Sequence, residues 1–398
     1  MKKIYFSLSL IFIFLLINIL SFILIYLIID QNIYNKDKYL KFKSGFLKGE
    51  KRSLYPHPYF GYSYNRDSPS DLEFPNSEPL FSEKPDLIPE NAIKILILGG
   101  SVAEDFSRND SYDEFVENEF IYNEKNIFEK VLNNKFQTDR FIVYNASIGG
   151  GKQPMQLFKL YYLYFLGEKF DVVINLDGFN EIALPFSENI PLRNYLSYPR
   201  NYSRIVENFS SELNCIKKNN EKILSYNIFP IIELYKLYII RKCHLNIAGK
   251  PKNKNSKFSK ITNFDDQSIN KNILDIVKIW KTSSEQIESF SSLVKFDFIH
   301  VLQPSHYLKG SKKLSKKEEN EFLSYRKYGD PISKYYNLLD LDKVKIKNKL
   351  DLRFIFKNNE ATLYRDFCCH LTNHGMYILA DSIVNHFEII FKNKIINN

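Results

Sequence analysis

Two kinds of apolar pattern follow one another along this chain. From Ile4 to Ile29 the apolar run carries no charge. As a helix it would reach ~39 Å at 1.5 Å per residue, beyond the ~30 Å of a bilayer's hydrocarbon core. It is too long for the apolar part of a cleaved signal peptide, and no small-residue cleavage site follows it. Residues 4–29 are therefore expected to form a retained transmembrane anchor behind a short cytoplasmic N-terminus at 1–3. The second pattern begins near residue 91. Lys94–Leu98, Arg140–Tyr144, Asp171–Leu176 and Phe296–Leu302 are short, nearly continuous apolar runs, as expected of strands covered on both faces. Helical spacing lies between and after them, at 126–134, 153–165, 266–293 and 376–390. Strand, turn and helix in repeated succession predict an open parallel α/β sheet, whose ligands bind beyond the carboxyl ends of the strands.

What separates these elements sets the domain plan. Residues 30–90 are polar, with five prolines between residues 65 and 90, and predict a stalk and lead-in loop. One domain is expected over 91–393, interrupted by insertions at about 185–263 and 308–348. Within the first insertion, Pro230, Glu233 and Lys236 argue against a second membrane span over 223–240. The basic runs 250–260 and 312–317 are expected to be solvated loops.

Charge and cysteine content narrow the function classes. The formal net charge is +9, but the lysines are scattered among Asn and Ile and form no stripe interleaved with aromatics. Nucleic acid is excluded as a partner on that ground. Four cysteines in 398 residues do not make a disulfide scaffold. A bridge between Cys215 and Cys243 is left open. Lys2 and Lys3 favour a cytoplasmic N-terminus, whereas Lys36, Lys38, Lys41 and Lys43 beyond the span weaken the asymmetry. The domain is expected outside the cytoplasm.

The chemistry sits in the turns. Ser101 follows two glycines at the end of the first strand, where a hydroxyl can sit at the start of the next helix; a plain tight turn is the alternative. Gly150 ends the second turn, and its missing side chain lets a backbone N–H approach a substrate oxygen. Asn180, in the third turn, could aim an amide N–H at the same oxygen or simply cap a helix. His370 stands four residues after Asp366 and suits a general base whose imidazole a carboxylate orients. Gly149-Gly150-Gly151-Lys152 is no phosphate loop, because Ala146 and Gln153 occupy positions that need Gly and Ser or Thr. Cys368, Cys369, His370 and His374 are a poor metal set, since adjacent cysteines do not easily share a tetrahedral site. No metal or other cofactor is expected. His57, His244, His300, His306 and His386 are expected to be structural or surface residues.

Gly99-Gly100-Ser101, the stretch from Asn145 to Gly150, Gly178-Phe179-Asn180 and the stretch from Asp366 through His370 to Gly375 resemble, in order and spacing, the four sequence blocks of the SGNH (GDSL-like) hydrolases. The resemblance covers residues 92–184 and 266–390. It implies a flavodoxin-like three-layer α/β/α fold around a parallel sheet and metal-free acyl transfer. In that scheme Ser101 is the nucleophile, His370 its base and Asp366 the acid, while the Ser101 and Gly150 N–H groups and the Asn180 amide form the oxyanion hole. Two departures stand out. Gly100 replaces the Asp often found before the serine, and the family's acid usually precedes its histidine by three residues rather than four.

The function expected is a serine esterase or deacetylase, acting outside the cytoplasm on an acylated small molecule or an O-acylated glycan. An O-acyltransferase modifying an exported polysaccharide would use the same residues. A non-catalytic binding or assembly protein that retains the fold is the alternative from another class.

Overall fold

The computed structural model describes residues 2–29, 54–64, 91–107, 127–207, 210, 266–322 and 329–396. The chain divides into two compact units. One contains Met1–Pro56, Tyr62–Leu72 and Tyr202–Lys257; the other contains His57–Gly61, Glu73–Asn201 and Phe258–Asn398.

In the first unit, helix α1 runs over Lys2–Ile29. Its apolar side chains from Ile11 to Ile17 face outward, Phe12 (67% exposed) among them, and so does Leu20 (55%). Residues 4–8, 10 and 24–29 of the expected anchor lie outside those whose side chains are described, and among the described residues no helix is long and apolar enough to cross a membrane. The expected stalk is described only at 54–64, where β1 (Leu54–His57) and β2 (Gly61–Tyr64) form a two-stranded sheet. Cys215, Cys243, and the runs 223–240 and 250–260 lie outside the described residues.

The second unit holds the parallel sheet. Its strands are β3 (Ile93–Gly99), β4 (Phe141–Asn145), β5 (Val172–Asp177), β6 (Asp297–Leu302) and β7 (Asn348–Asp351), in the order β4-β3-β5-β6-β7. Every neighbouring pair is parallel. The doubly wound order 2-1-3-4-5 follows when these strands are counted from β3, and it is the order of flavodoxin-like sheets. β5 is buried along its whole length, its apolar residues and the mutually bonded Asn175 and Asp177 alike.

Helix α2 (Ser101–Phe106) follows β3 directly, and α3 (Ile127–Phe136) leads into β4. Helix α4 (Met155–Phe165) connects β4 to β5, and α5 (Phe179–Leu184) follows β5. The long α6 (Asp266–Val294) precedes β6, and α7 (Lys316–Phe322) and α8 (Gly329–Tyr335) lie between β6 and β7. The closing α9 (Asn373–Ile396) packs against α3, while α4 packs against α6. Because crossovers are right-handed, reversing the direction of winding after β4 places these two helix pairs on opposite faces. The result is a three-layer α/β/α arrangement.

β7 adds to the expected plan. It falls between the polar insertion expected at about 308–348 and residue 352, and Asn348–Asp351 pairs with β6, with Leu302 opposite Asp351. At the edge of the sheet, one covered neighbour suffices to hold a strand, so its sequence needs no apolar run. Lys312 is a correction. It is buried, not solvated, and its ammonium meets the buried Glu318 carboxylate at 2.9 Å.

Candidate active site

Parallel strands end together, so the segments after β3, β4, β5 and β6 share one edge of the sheet. The winding reverses between β3 and β5, and the crevice of such a sheet opens outside the ends of those two strands. Ser101 follows β3, Gly150 follows β4 and Asn180 follows β5. Ser101, Asn180, Asp366 and His370 are all partly exposed.

Gly100 explains the departure from Asp before the serine. A β-carbon there would overlap the Asn180 side-chain amide and lie 3.1 Å from the Gly151 carbonyl. The Asn180 amide fills that space and donates to the Gly151 oxygen at 2.8 Å. An amide nitrogen has two hydrogens, so one remains for a substrate oxygen. The β3, β4 and β5 turns are thus interlocked at Gly100, Gly151 and Asn180. Gly150 has φ +78, a conformation that favours glycine.

Buried Glu181 stitches the same turns from beneath. One of its carboxylate oxygens accepts from the Gly178 N–H at 2.8 Å, the other from the Gln153 N–H at 3.1 Å. Burial, and then the nearby Asp177 charge, raise its pKa above the ordinary carboxylate range. Lys152, buried beside it, donates to the Leu196 carbonyl. Burial lowers its pKa to about 8, against the upward pull of Glu181 and Glu188. Asp177 itself accepts from the Trp280 indole N–H at 3.1 Å and the Asn175 amide at 2.7 Å, and pairs with His300 at 2.8 Å. These groups are fully enclosed, which makes His300 a structural residue, as expected, with Trp280 in the core beside it.

The Asp366–His370 spacing also finds its structural account. The loop closes on itself through the Arg365 N–H, which donates to the His370 carbonyl at 2.9 Å, and through a bridge between Tyr364 and Leu371. Cys369 absorbs the extra residue in the left-handed region, at φ 65. One Asp366 oxygen then accepts from the Cys368 N–H at 2.8 Å and the His370 N–H at 3.3 Å, and the other meets His370 Nδ1 at 2.5 Å. Burial acts to raise the Asp366 pKa, but the His370 contact and the two backbone N–H groups outweigh it and hold the carboxyl below its usual value. With Nδ1 engaged, Nε2 is the nitrogen left to exchange a proton with a nucleophile.

Arg365 links this loop to the serine's helix through an ion pair with Asp105, one turn beyond Ser101. Sequence reasoning overlooked that pair, although the charge next to Asp366 was visible. It also overlooked Glu318. One Glu318 oxygen accepts from the Leu363 and Tyr364 N–H groups at 2.9 and 3.0 Å, and the other holds Lys312 and the Ser315 N–H. The segment between β6 and α8 therefore braces the histidine loop. Behind the loop, Cys369 Sγ lies 3.2 Å from His306 Nδ1 and 3.3 Å from Ser305 Oγ. Burial pushes the Cys368 thiol up to about 12 and the Cys369 thiol higher still, and lowers His306 to about 4. Both thiols stay protonated near neutral pH, so neither is a ready nucleophile.

No protein-family model matches the chain, and no curated protein matches it. Solved structures are similar to it in part, the following two among them. LAE5, an alpha/beta hydrolase enzyme from the metagenome of Lake Arreo, Spain, is 14% identical, with 74% of this chain and 95% of that chain covered at a TM-score of 0.32. A structure described as a GDSL-like lipase, from Parabacteroides merdae, is 11% identical, with 75% of this chain and 97% of that chain covered at a TM-score of 0.30. Likeness at this level carries no functional argument. The fold rests on the strand order, and the chemistry on the side chains.

Proposed function

We propose that this protein is a serine-dependent acyl ester hydrolase acting through an acyl-enzyme on Ser101. The observation that carries this reading is the Asp366–His370 pair, held in a closed loop that an ion pair joins to the helix beginning at Ser101. Ser101 Oγ attacks the ester carbonyl as His370 Nε2 takes its proton. The developing oxyanion receives the Ser101 and Gly150 N–H groups and the second amide hydrogen of Asn180. The imidazolium, stabilised by Asp366, then protonates the departing alkoxide. In the second half, water attacks the acyl-enzyme, gives its proton to His370, and restores the serine as the acid leaves.

The substrate proposed is an O-acylated glycan outside the cytoplasm, with α1 as the membrane anchor. Support for the anchor is the uncharged run from Ile4 to Ile29 behind Lys2 and Lys3, together with the outward-facing apolar side chains of α1.

A fluorophosphonate probe tests the chemistry directly. The full chain should be labelled, Ser101→Ala should not, and labelling of His370→Ala should fall by at least about two orders of magnitude. A folded protein that the probe leaves untouched would overturn the proposal and favour a binding role.

A further inference from the structure

A concavity with a volume of about 930 Å³ lies against the start of α4. One wall is the loop of residues 190–197, and the other is the N-terminal half of α6. Pro154, at the start of α4, belongs to its lining and stands four residues after Gly150.

The loop wall is fixed from inside by buried polar groups. The Asn189 amide donates to the Tyr195 and Tyr198 carbonyls, each at 3.1 Å, and the buried Lys152 ammonium holds the Leu196 carbonyl. Glu188 ties down the far end through Arg200 and the Asn201 N–H, both at 3.1 Å. Between these anchors Arg193 adopts φ 55, a conformation that costs a residue with a β-carbon about 1 kcal/mol or more. A surface loop pinned at several points yet strained at an exposed arginine is a shaped wall rather than a slack connection.

The charge on this cavity has one dominant sign. Arg193, Lys271 and Lys278 line it and are exposed, against the single carboxylate of Asp275. Lys271 and Lys278 stand two turns apart on one face of α6, ~10 Å along its axis. Tyr195, 81% exposed, offers a flat ring at the rim. Spaced cations, an aromatic face and a small apolar floor match a chain of hydroxylated rings that bear carboxylates.

We propose that this groove binds an acidic oligosaccharide and presents it to the neighbouring serine site, so that the substrate glycan is anionic. The proposal rests on the hydrolase reading for its catalytic consequence, but the binding can be measured without catalysis.

The test is calorimetric titration of the full-length Ser101→Ala protein with an oligogalacturonate and with a neutral malto-oligosaccharide of equal length. The acidic oligomer should bind at least about tenfold more tightly, and less tightly as salt is raised, because exposed pairs are screened. Replacing the three cations together (Arg193→Gln, Lys271→Gln, Lys278→Gln) should abolish that preference while the unfolding temperature holds. The control Lys313→Gln, Lys343→Gln alters exposed lysines elsewhere and should keep it. Equal binding of both oligomers, preference surviving the triple replacement, or equal loss in the control would each overturn the groove. Loss of serine labelling in the previous experiment would sink the hydrolase reading instead, and leave these binding results interpretable on their own.

Discussion

At the scale of single residues, two positions carry most of the proposed chemistry. Gly100 is there because the Asn180 amide occupies the space a β-carbon would need. Gly100→Ala should displace that amide and cut turnover by about 10²–10³-fold, the usual cost of one lost oxyanion donor. Asn180→Ala should cost the same. The double variant should be no worse than either, since both remove one interaction; additive losses in kcat would refute the shared role. Asp366 provides the second case. Its lowered pKa means that the unfolded chain binds the proton more readily, so the stability it contributes is complete above the ordinary value of 3.8 and fades as pH falls below that through the folded value. Asp366→Asn should flatten this acid limb in unfolding measurements and lower turnover by about four orders of magnitude. Turnover near wild type would remove Asp366 from the mechanism while leaving Ser101 and His370 standing.

At the scale of elements, the site depends on the segment that the sequence presents as an insertion. Glu318, at the start of α7, takes two backbone N–H groups just before the histidine loop and pairs with a lysine whose side chain is fully enclosed. Burial acts to raise its pKa, but the Ser315, Tyr364 and Leu363 N–H groups and Lys312 together bring it below 4.5. Glu318→Ala would leave the Lys312 charge enclosed without that carboxylate, a change that typically costs about 3–5 kcal/mol. Urea denaturation should show a lowered midpoint with an unchanged slope. A midpoint within experimental error of wild type would mean that the loop holds itself. The ion pair between Asp105 and Arg365 acts between elements in the same way, tying the serine's helix to the base's loop.

At the scale of the whole molecule, the question is where the unit that carries Ser101 works. If α1 anchors the chain, the full-length protein should stay with membranes after alkaline carbonate extraction, whereas a chain lacking residues 1–29 should be released. Protease added outside the cytoplasm should digest the unit in spheroplasts. Resistance there, with digestion only after lysis, would place the unit on the cytoplasmic side and end the exported-glycan proposal.

The sequence by itself determined the layered α/β class, because short, nearly continuous apolar runs such as Val172–Leu176, broken only by Asn175 and alternating with helical spacing, fit strands covered on both faces. It also determined the order of the turns in which Ser101, Gly150 and Asn180 stand, since strand and helix periods are local properties. Sequence could not reveal β7, whose edge position asks for no apolar run, nor the burial of Lys312, whose partner alone makes that burial tolerable. The four-residue interval from Asp366 to His370 looked like a defect along the chain. Only the folded loop, with Cys369 turned left-handed beneath it, brings carboxylate and imidazole to 2.5 Å. Contacts between residues far apart in the chain depend on the path of the backbone between them, and that path is a tertiary property.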